Sequence, residues 1–280
     1  MFLGFHVSIQ GSIDRAVDRA HSLGCTTFQV FTTNPRGWYS RGLQAEEIEK
    51  FLEKRSEYGF SKVFSHMPYL PNLASPRPEV YHKSVETLLN EIKRCRLLKI
   101  PFLVTHLGSH LGQGFENGAV RIRNALNDAL SIAEGEVTIL LENTAGSAYS
   151  LGSTFEQIEY IFRGISDSSG IGVCMDTCHA WAAGYDIKTE EGLKKTISEI
   201  EKYIGFGRIF LVHLNDSVGV LGSHIDRHEH IGLGSIGLGG FRNFLKSPFG
   251  SLPLIMETPV DDRRSDVENM RVVREMLSGM

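Results

Sequence analysis

Nowhere in this 280-residue chain does an apolar run approach the ~20 residues needed to span a bilayer. The opening MFLGFHVSIQG lacks the basic region and small-residue cleavage site of a signal peptide. These absences lead to the expectation of a soluble, cytoplasmic protein with no membrane partner, acting as a monomer. Cysteine is scarce: Cys25, Cys95, Cys174 and Cys178 show no disulfide-framework spacing, which suits a reducing compartment. Cys174 and Cys178 bracket MDT, a spacing a zinc knuckle could share, although buried thiols are the plainer reading. Nor is there an excess of positive charge. A net charge of −4 argues against gripping nucleic acid with the whole surface, while leaving a local site open. With 41% hydrophobic and 22% charged residues, disorder is excluded, and no composition break divides the chain.

Residues 209–239, IFLVHLNDSVGVLGSHIDRHEHIGLGSIGLG, are the most informative stretch. A short apolar run ends at His213, as a buried strand delivering an imidazole at its tip would. Asp226 and His228 follow in a Gly- and His-rich segment without helical periodicity. Residues two apart in an extended chain point the same way, so this D-x-H aims a carboxylate and an imidazole at one point.

The same pattern runs through the chain. Strands are expected at residues 2–7, 26–31, 62–65, 102–105, 137–141, 171–175, 209–212 and 252–256. Between them lie helical stripes, among them Ile13, Val17, Ala20 and Leu23 after a capping Ser12, and Ile122, Leu126, Ala129 and Ala133 within residues 117–134. Further helices are expected at residues 44–58 and 190–204, along Tyr81, Val85, Leu88, Ile92 and Cys95, after a Ser153/Glu156 capping box, and from Asp266 onward. Eight βα units imply an α/β chain folded as one (β/α)8 TIM barrel over residues 1–280. Strands three to eight all close on a residue able to bind metal: His66, His106, Glu142, Asp176, His213 and Glu257. Barrel strands present their C-terminal ends to a single mouth, so these residues converge.

With His179, Asp226 and His228 the set holds five imidazoles and four carboxylates. Nine ligands exceed the needs of one divalent ion, and three ions are the natural number if carboxylates bridge. Magnesium prefers oxygen, whereas imidazole suits zinc, with manganese or iron as substitutes. Zinc ions roughly 3.5 to 4 Å apart activate a shared water and clamp the oxygens of an in-line phosphoryl displacement. Phosphodiester hydrolysis fits that equipment, and three divalent ions would turn −4 into about +2. The alternative is a metal-dependent barrel sugar isomerase or epimerase, which needs fewer ions and little imidazole. A third reading is a DNA-end or metal-binding module without turnover.

The segments CMDTCHAWAAGYD from Cys174, LVHLNDS from Leu211 and HIDRHEHIGLGSIG from His224 resemble the signature regions of the endonuclease IV family of zinc-dependent DNA-repair enzymes. LVTHLG, LLENTAG and LIMETP extend the resemblance along the chain. It implies that Glu142 bridges two zincs and is central to catalysis, with His66 and His106 on the first ion and Asp176, His213 and Glu257 on the second. His179, Asp226 and His228 would hold the third. The implied activity is cleavage 5′ to an abasic site in duplex DNA, leaving a 3′-hydroxyl, with removal of 3′-blocking groups besides. It also makes the TNPRGW loop, with Asn34 and Arg36, and Tyr69 DNA-facing, Arg36 and Tyr69 being inserted at the lesion.

Read singly, a strand-end histidine is usually a satisfied polar residue; the joint pattern carries the reading. His6 divides between packing and a phosphate contact. His110, His224 and His230 read as solvated or supporting residues in mouth loops. The glycines of GLGSIGLGG divide between phosphate-binding N–H groups and plain turns, and Asp261, Asp262, Arg263 and Arg264 read as a solvated loop.

Overall fold

The computed structural model describes residues 1–38 and 41–279, so Tyr39 and Ser40 of the loop after the second strand lie outside the described residues. In chain order the strands are β1 (Leu3–Phe5), β2 (Phe28–Phe31), β3 (Val63–His66), β4 (Phe102–Thr105), β5 (Thr138–Glu142), β6 (Ile171–Asp176), β7 (Ile209–His213), β8 (Asp216–Ser217), β9 (His228–Glu229) and β10 (Leu254–Met256). Eight of them form one parallel sheet in the order β1-β10-β7-β6-β5-β4-β3-β2, while β8 and β9 pair separately as an antiparallel ribbon. A parallel bridge between His6 and Gln29 joins the two ends of that order. Val7 N–H reinforces it by donating to Gln29 O at 2.8 Å. The expected barrel is thus present. At its seam β1 approaches β2 so closely that a Cβ on Gly4 would fall 1.7 Å from Thr27 O, which leaves room for glycine only.

Nine helices among the described residues surround the sheet: α1 (Asp14–Ser22), α2 (Ala45–Glu57), α3 (Pro78–Leu97), α4 (Phe115–Ala133), α5 (Phe155–Phe162), α6 (Thr177–Ala183), α7 (Glu190–Tyr203), α8 (Gly237–Lys246) and α9 (Asp266–Ser278). The expected stripe of α4, Ile122, Leu126, Ala129 and Ala133, is buried. Two expected caps are corrected. Ser12 does not cap α1, whose N-cap is Ile13 with no side-chain bond. The cap of α5 is Thr154, which accepts from Gln157 N–H, and the Gln157 side chain accepts from Gly152 and Ser153 instead of a Ser153/Glu156 exchange. Helices α6 and α8 were not expected.

Two cores result. The larger lies between sheet and helices; the smaller fills the barrel and consists of Phe64, Val104, Leu140, Cys174, Leu211 and Ile255. Alternate strand residues face the same side. The residue two positions beyond each member of this plug therefore also points inward, at the mouth: His66, His106, Glu142, Asp176, His213 and Glu257.

Candidate metal centre

The nine expected ligands come together as three groups whose donor atoms lie within 4.8 Å of one another. His66 and His106 meet Glu142; Glu142, Asp176, His213 and Glu257 form the second; His179, Asp226 and His228 form the third. Glu142 thus belongs to two groups, one oxygen 3.0 Å from His66 Nε2 and the other 3.0 Å from His213 Nδ1. Asp226 Oδ1 lies 3.0 Å from His179 Nε2 and 3.9 Å from His228 Nε2, as the D-x-H geometry requires. The groups wall a cavity of about 200 Å³ at the barrel mouth, with Phe31 and Tyr69 closing one side.

Local structure aims these side chains. Asp176 caps α6 by accepting from His179 N–H at 2.7 Å, so one expected ligand positions the helix that carries another. Asn143 grips Asp176 from both backbone sides, its Oδ1 accepting from Asp176 N–H at 2.7 Å and its Nδ2 donating to Asp176 O at 3.1 Å. Asn215 donates to Asp176 Oδ2 at 2.7 Å and accepts from Glu257 N–H at 2.8 Å. Three imidazoles donate one ring N–H to a carbonyl: His66 Nδ1 to Met67 O at 2.6 Å, His179 Nδ1 to Asn143 O at 2.9 Å and His228 Nδ1 to Glu257 O at 3.1 Å. A carbonyl can only accept, so in each ring the proton is fixed on Nδ1 and Nε2 faces the centre, the arrangement of metal-bound histidines.

Charge follows the same geometry. Burial resists an ionised Glu142, but His106, His213 and His66 outweigh it and hold the carboxyl well below its usual range. Burial also resists a charged His179; Asp176, Asp226 and Glu142 overcome it and lift the imidazole to about 10. One observation tests whether cations fit. The Nε2 of His228 is buried, points among carboxylates and has no hydrogen-bond partner among the described residues. An orphaned buried nitrogen is costly unless something ligates it. A donor set of imidazole and carboxylate around such an atom suits zinc and tolerates manganese.

Asn34, Arg36 and Tyr69 lie at the rim and are exposed. Arg36 N–H donates to Asn34 Oδ1 at 3.1 Å, and Tyr69 N–H donates to Pro35 O at 3.2 Å, tying the loops after β2 and β3 together. Other expectations are refined. His6 does not line the mouth: Nδ1 lies 3.1 Å from Glu257 Oε1, behind that ligand, and Nε2 is buried without a partner among the described residues. His110 accepts from Gly114 N–H and His224 donates to Ala145 O. His230 is not solvated; it is buried between Asp261 and Asn269. Nor is 261–264 a free loop, because Arg263 bridges Glu229 and Asp261 and Arg264 donates to Ile231 O, clamping this segment onto β9. The glycine-rich N–H groups are already used: Gly232, Gly234, Ile236 and Gly237 all donate to the buried Asp216. Cys174 and Cys178 form no two-thiol site. Cys174 belongs to the barrel plug, and Cys178 lies beside Asp176 and His228.

One residue near the ligands was missed. Gln29, fully buried on β2, contacts both His213 and Glu257. The signal was a lone polar residue inside the apolar strand FQVF.

The chain matches the model of a family described as xylose isomerase-like TIM barrel over residues 17–278. It is 52% identical over 278 residues to a probable endonuclease 4 of Methanoculleus marisnigri, covering 99% of each chain. Endonuclease IV from Thermus thermophilus superposes on it with a TM-score of 0.88 at 33% identity, all of both chains being covered. A D-tagatose 3-epimerase-like protein superposes with a TM-score of 0.76 at 22% identity over 99% of this chain and 97% of that one. At that identity the likeness is one of fold.

Proposed function

The chain belongs to the endonuclease IV family, and from that premise we propose that it is a DNA-repair nuclease hydrolysing the phosphodiester 5′ to abasic sites in duplex DNA. The products would be a 3′-hydroxyl and a 5′-deoxyribose phosphate end, and the same site would remove 3′-blocking groups. The observation that carries this reading is the sharing of Glu142 between two of three converging donor groups.

His66 and His106 with one Glu142 oxygen would hold the first zinc; Asp176, His213 and Glu257 with the other oxygen would hold the second. His179, Asp226 and His228 would hold the third. Zinc bound there supplies a water with its pKa lowered toward ~7 and positive charge for the phosphate oxygens. The chain's own residues do the rest. Glu142 keeps its two donor groups at a fixed separation, while Asn143 and Asn215 hold Asp176 and Glu257 from behind. At the rim Arg36 and Tyr69 enter the base stack at the lesion, with Asn34 bracing the Arg36 backbone. Opening a stack costs a few kcal/mol, and an abasic site has less stacking to lose, which favours damaged over intact duplex. All nine donors come from one chain, so a monomer suffices.

A duplex bearing a tetrahydrofuran abasic analogue tests the reading. One incision 5′ to the analogue is expected, abolished by prolonged chelation and by Glu142→Gln, with three ions per chain by elemental analysis. Binding of the duplex without any product from fully loaded protein would refute it, and one or two ions with turnover of a ketose would favour an epimerase.

A further inference from the structure

Gln29 is an inward-facing polar residue on the otherwise apolar β2, and barrel closure at the His6–Gln29 bridge brings it against expected ligands from the far side of the seam. Its side chain makes three contacts. Nε2 is 2.8 Å from Glu257 Oε1 and 2.9 Å from His6 Nδ1, and Oε1 is 2.9 Å from His213 Nε2.

Only one arrangement of protons satisfies this. An ionised carboxylate can only accept, so the amide nitrogen must face Glu257. The amide oxygen then faces His213 and can itself only accept, so His213 Nε2 must carry a proton. His213 therefore turns Nδ1 to the centre, 3.0 Å from Glu142 Oε1 and 3.5 Å from Glu257 Oε2. On Glu257, Oε1 accepts from Gln29, which leaves Oε2 on the side of the second group. His66, His179 and His228 have their ring protons fixed by backbone carbonyls, whereas His213 depends on a side chain that mutation can remove.

We infer that Gln29 is a positioning residue of the second metal position, selecting through these two hydrogen bonds the nitrogen of His213 and the oxygen of Glu257 that are offered to the ion. The inference rests on the three-metal reading of the centre. It predicts a local weakening: groups that orient metal ligands from behind are typically worth 10- to 100-fold in metal affinity.

Wild type, Gln29→Leu and Gln29→Glu, each loaded with zinc, would be dialysed against graded chelator and the ions per chain counted. Gln29→Leu removes both hydrogen bonds. Gln29→Glu keeps length and shape but sets a carboxylate against Glu257. Both are expected to give up one ion at roughly 10- to 100-fold weaker chelation than wild type and to keep the other two as wild type does. The metal-free Gln29→Glu should retain the wild-type circular dichroism spectrum. In loaded wild type, histidine-selective ¹⁵N labelling should show His213 protonated at Nε2, a result independent of any variant. Retention of all three ions with wild-type resistance, or a His213 proton on Nδ1, would overturn the role of Gln29 alone. Wild type that never holds three ions would instead overturn the three-metal reading, and the inference with it.

Discussion

At each imidazole of the centre protons and metal ions compete for one lone pair. His179 is lifted to about 10 against the opposing effect of burial, and His213 is raised well above 6.5, burial there being outweighed by Cys174, Glu257 and Glu142. Ligation needs neutral imidazole, so zinc uptake near neutral pH is expected to release protons, and affinity to rise with pH. Calorimetry in buffers of different ionisation enthalpy reads this directly; uptake without proton release would contradict it. Stability of the metal-free protein follows with opposite sign. A histidine raised in the folded state stabilises fully below its unfolded value of 6.5, and that contribution is lost as pH climbs towards about 10. The chelated protein should therefore melt progressively lower across this window, while the loaded protein, whose ligands are already neutral, should not.

At the scale of elements, α3 roots the rim. Glu91 is buried and accepts from Thr32 Oγ1 and Thr33 Oγ1, each at 2.7 Å, while Arg94 donates to Thr32 Oγ1 at 2.8 Å and to Arg41 O at 2.9 Å. These threonines begin the loop that carries Asn34 and Arg36. In Glu91→Gln the amide accepts at one end only, so both hydroxyls lose their carboxylate partner and one loses its acceptor outright. About 1.5–3 kcal/mol of stability is expected to go, with weaker binding of abasic duplex and unchanged metal content. Denaturant unfolding beside a DNA titration checks this, and loss of zinc would refute it. Local order was legible where the signal is local: β4 over Phe102–Thr105 and the start of α9 at Asp266 fall where a strand closing on His106 and a last helix are expected. It was not legible where a distant residue makes it. The GLGG opening of α8 reads as either a turn or a phosphate cradle, and it is helical where Asp216, far back in the chain, accepts from the N–H groups of Ile236 and Gly237. Helix α6 was hidden because its cap, Asp176, reads as the strand-end donor of β6. The convergence of six expected ligands was readable because each follows an apolar plug residue by two positions. His6 and Gln29 obey the same inward alternation, but their importance depends on the seam where β1 meets β2, which no local pattern encodes.

For the whole molecule, the origin of the ligands fixes how metal and fold are coupled. The centre draws on β3, β4, β5, β6, β7 and β10 and on the segments around α6 and β9, with Gln29 added across the closure. The first group spans the neighbouring strands β3, β4 and β5 and the second spans β5, β6, β7 and β10, so Glu142 on β5 ties the two together. Loss of β5 therefore dismantles the first two groups together, and binding free energy should appear as resistance to global unfolding. A site occupied at 100 times its dissociation constant adds about 2.7 kcal/mol, so several sites approach the scale of a typical domain's whole stability of ~5–15 kcal/mol. On loading, amide exchange should slow in all eight barrel strands alike, including β1 and β2, which supply none of the nine ligands. Slowing confined to the segments around His179 and Asp226 would mean that metal orders the mouth alone, and that the barrel closes without its help.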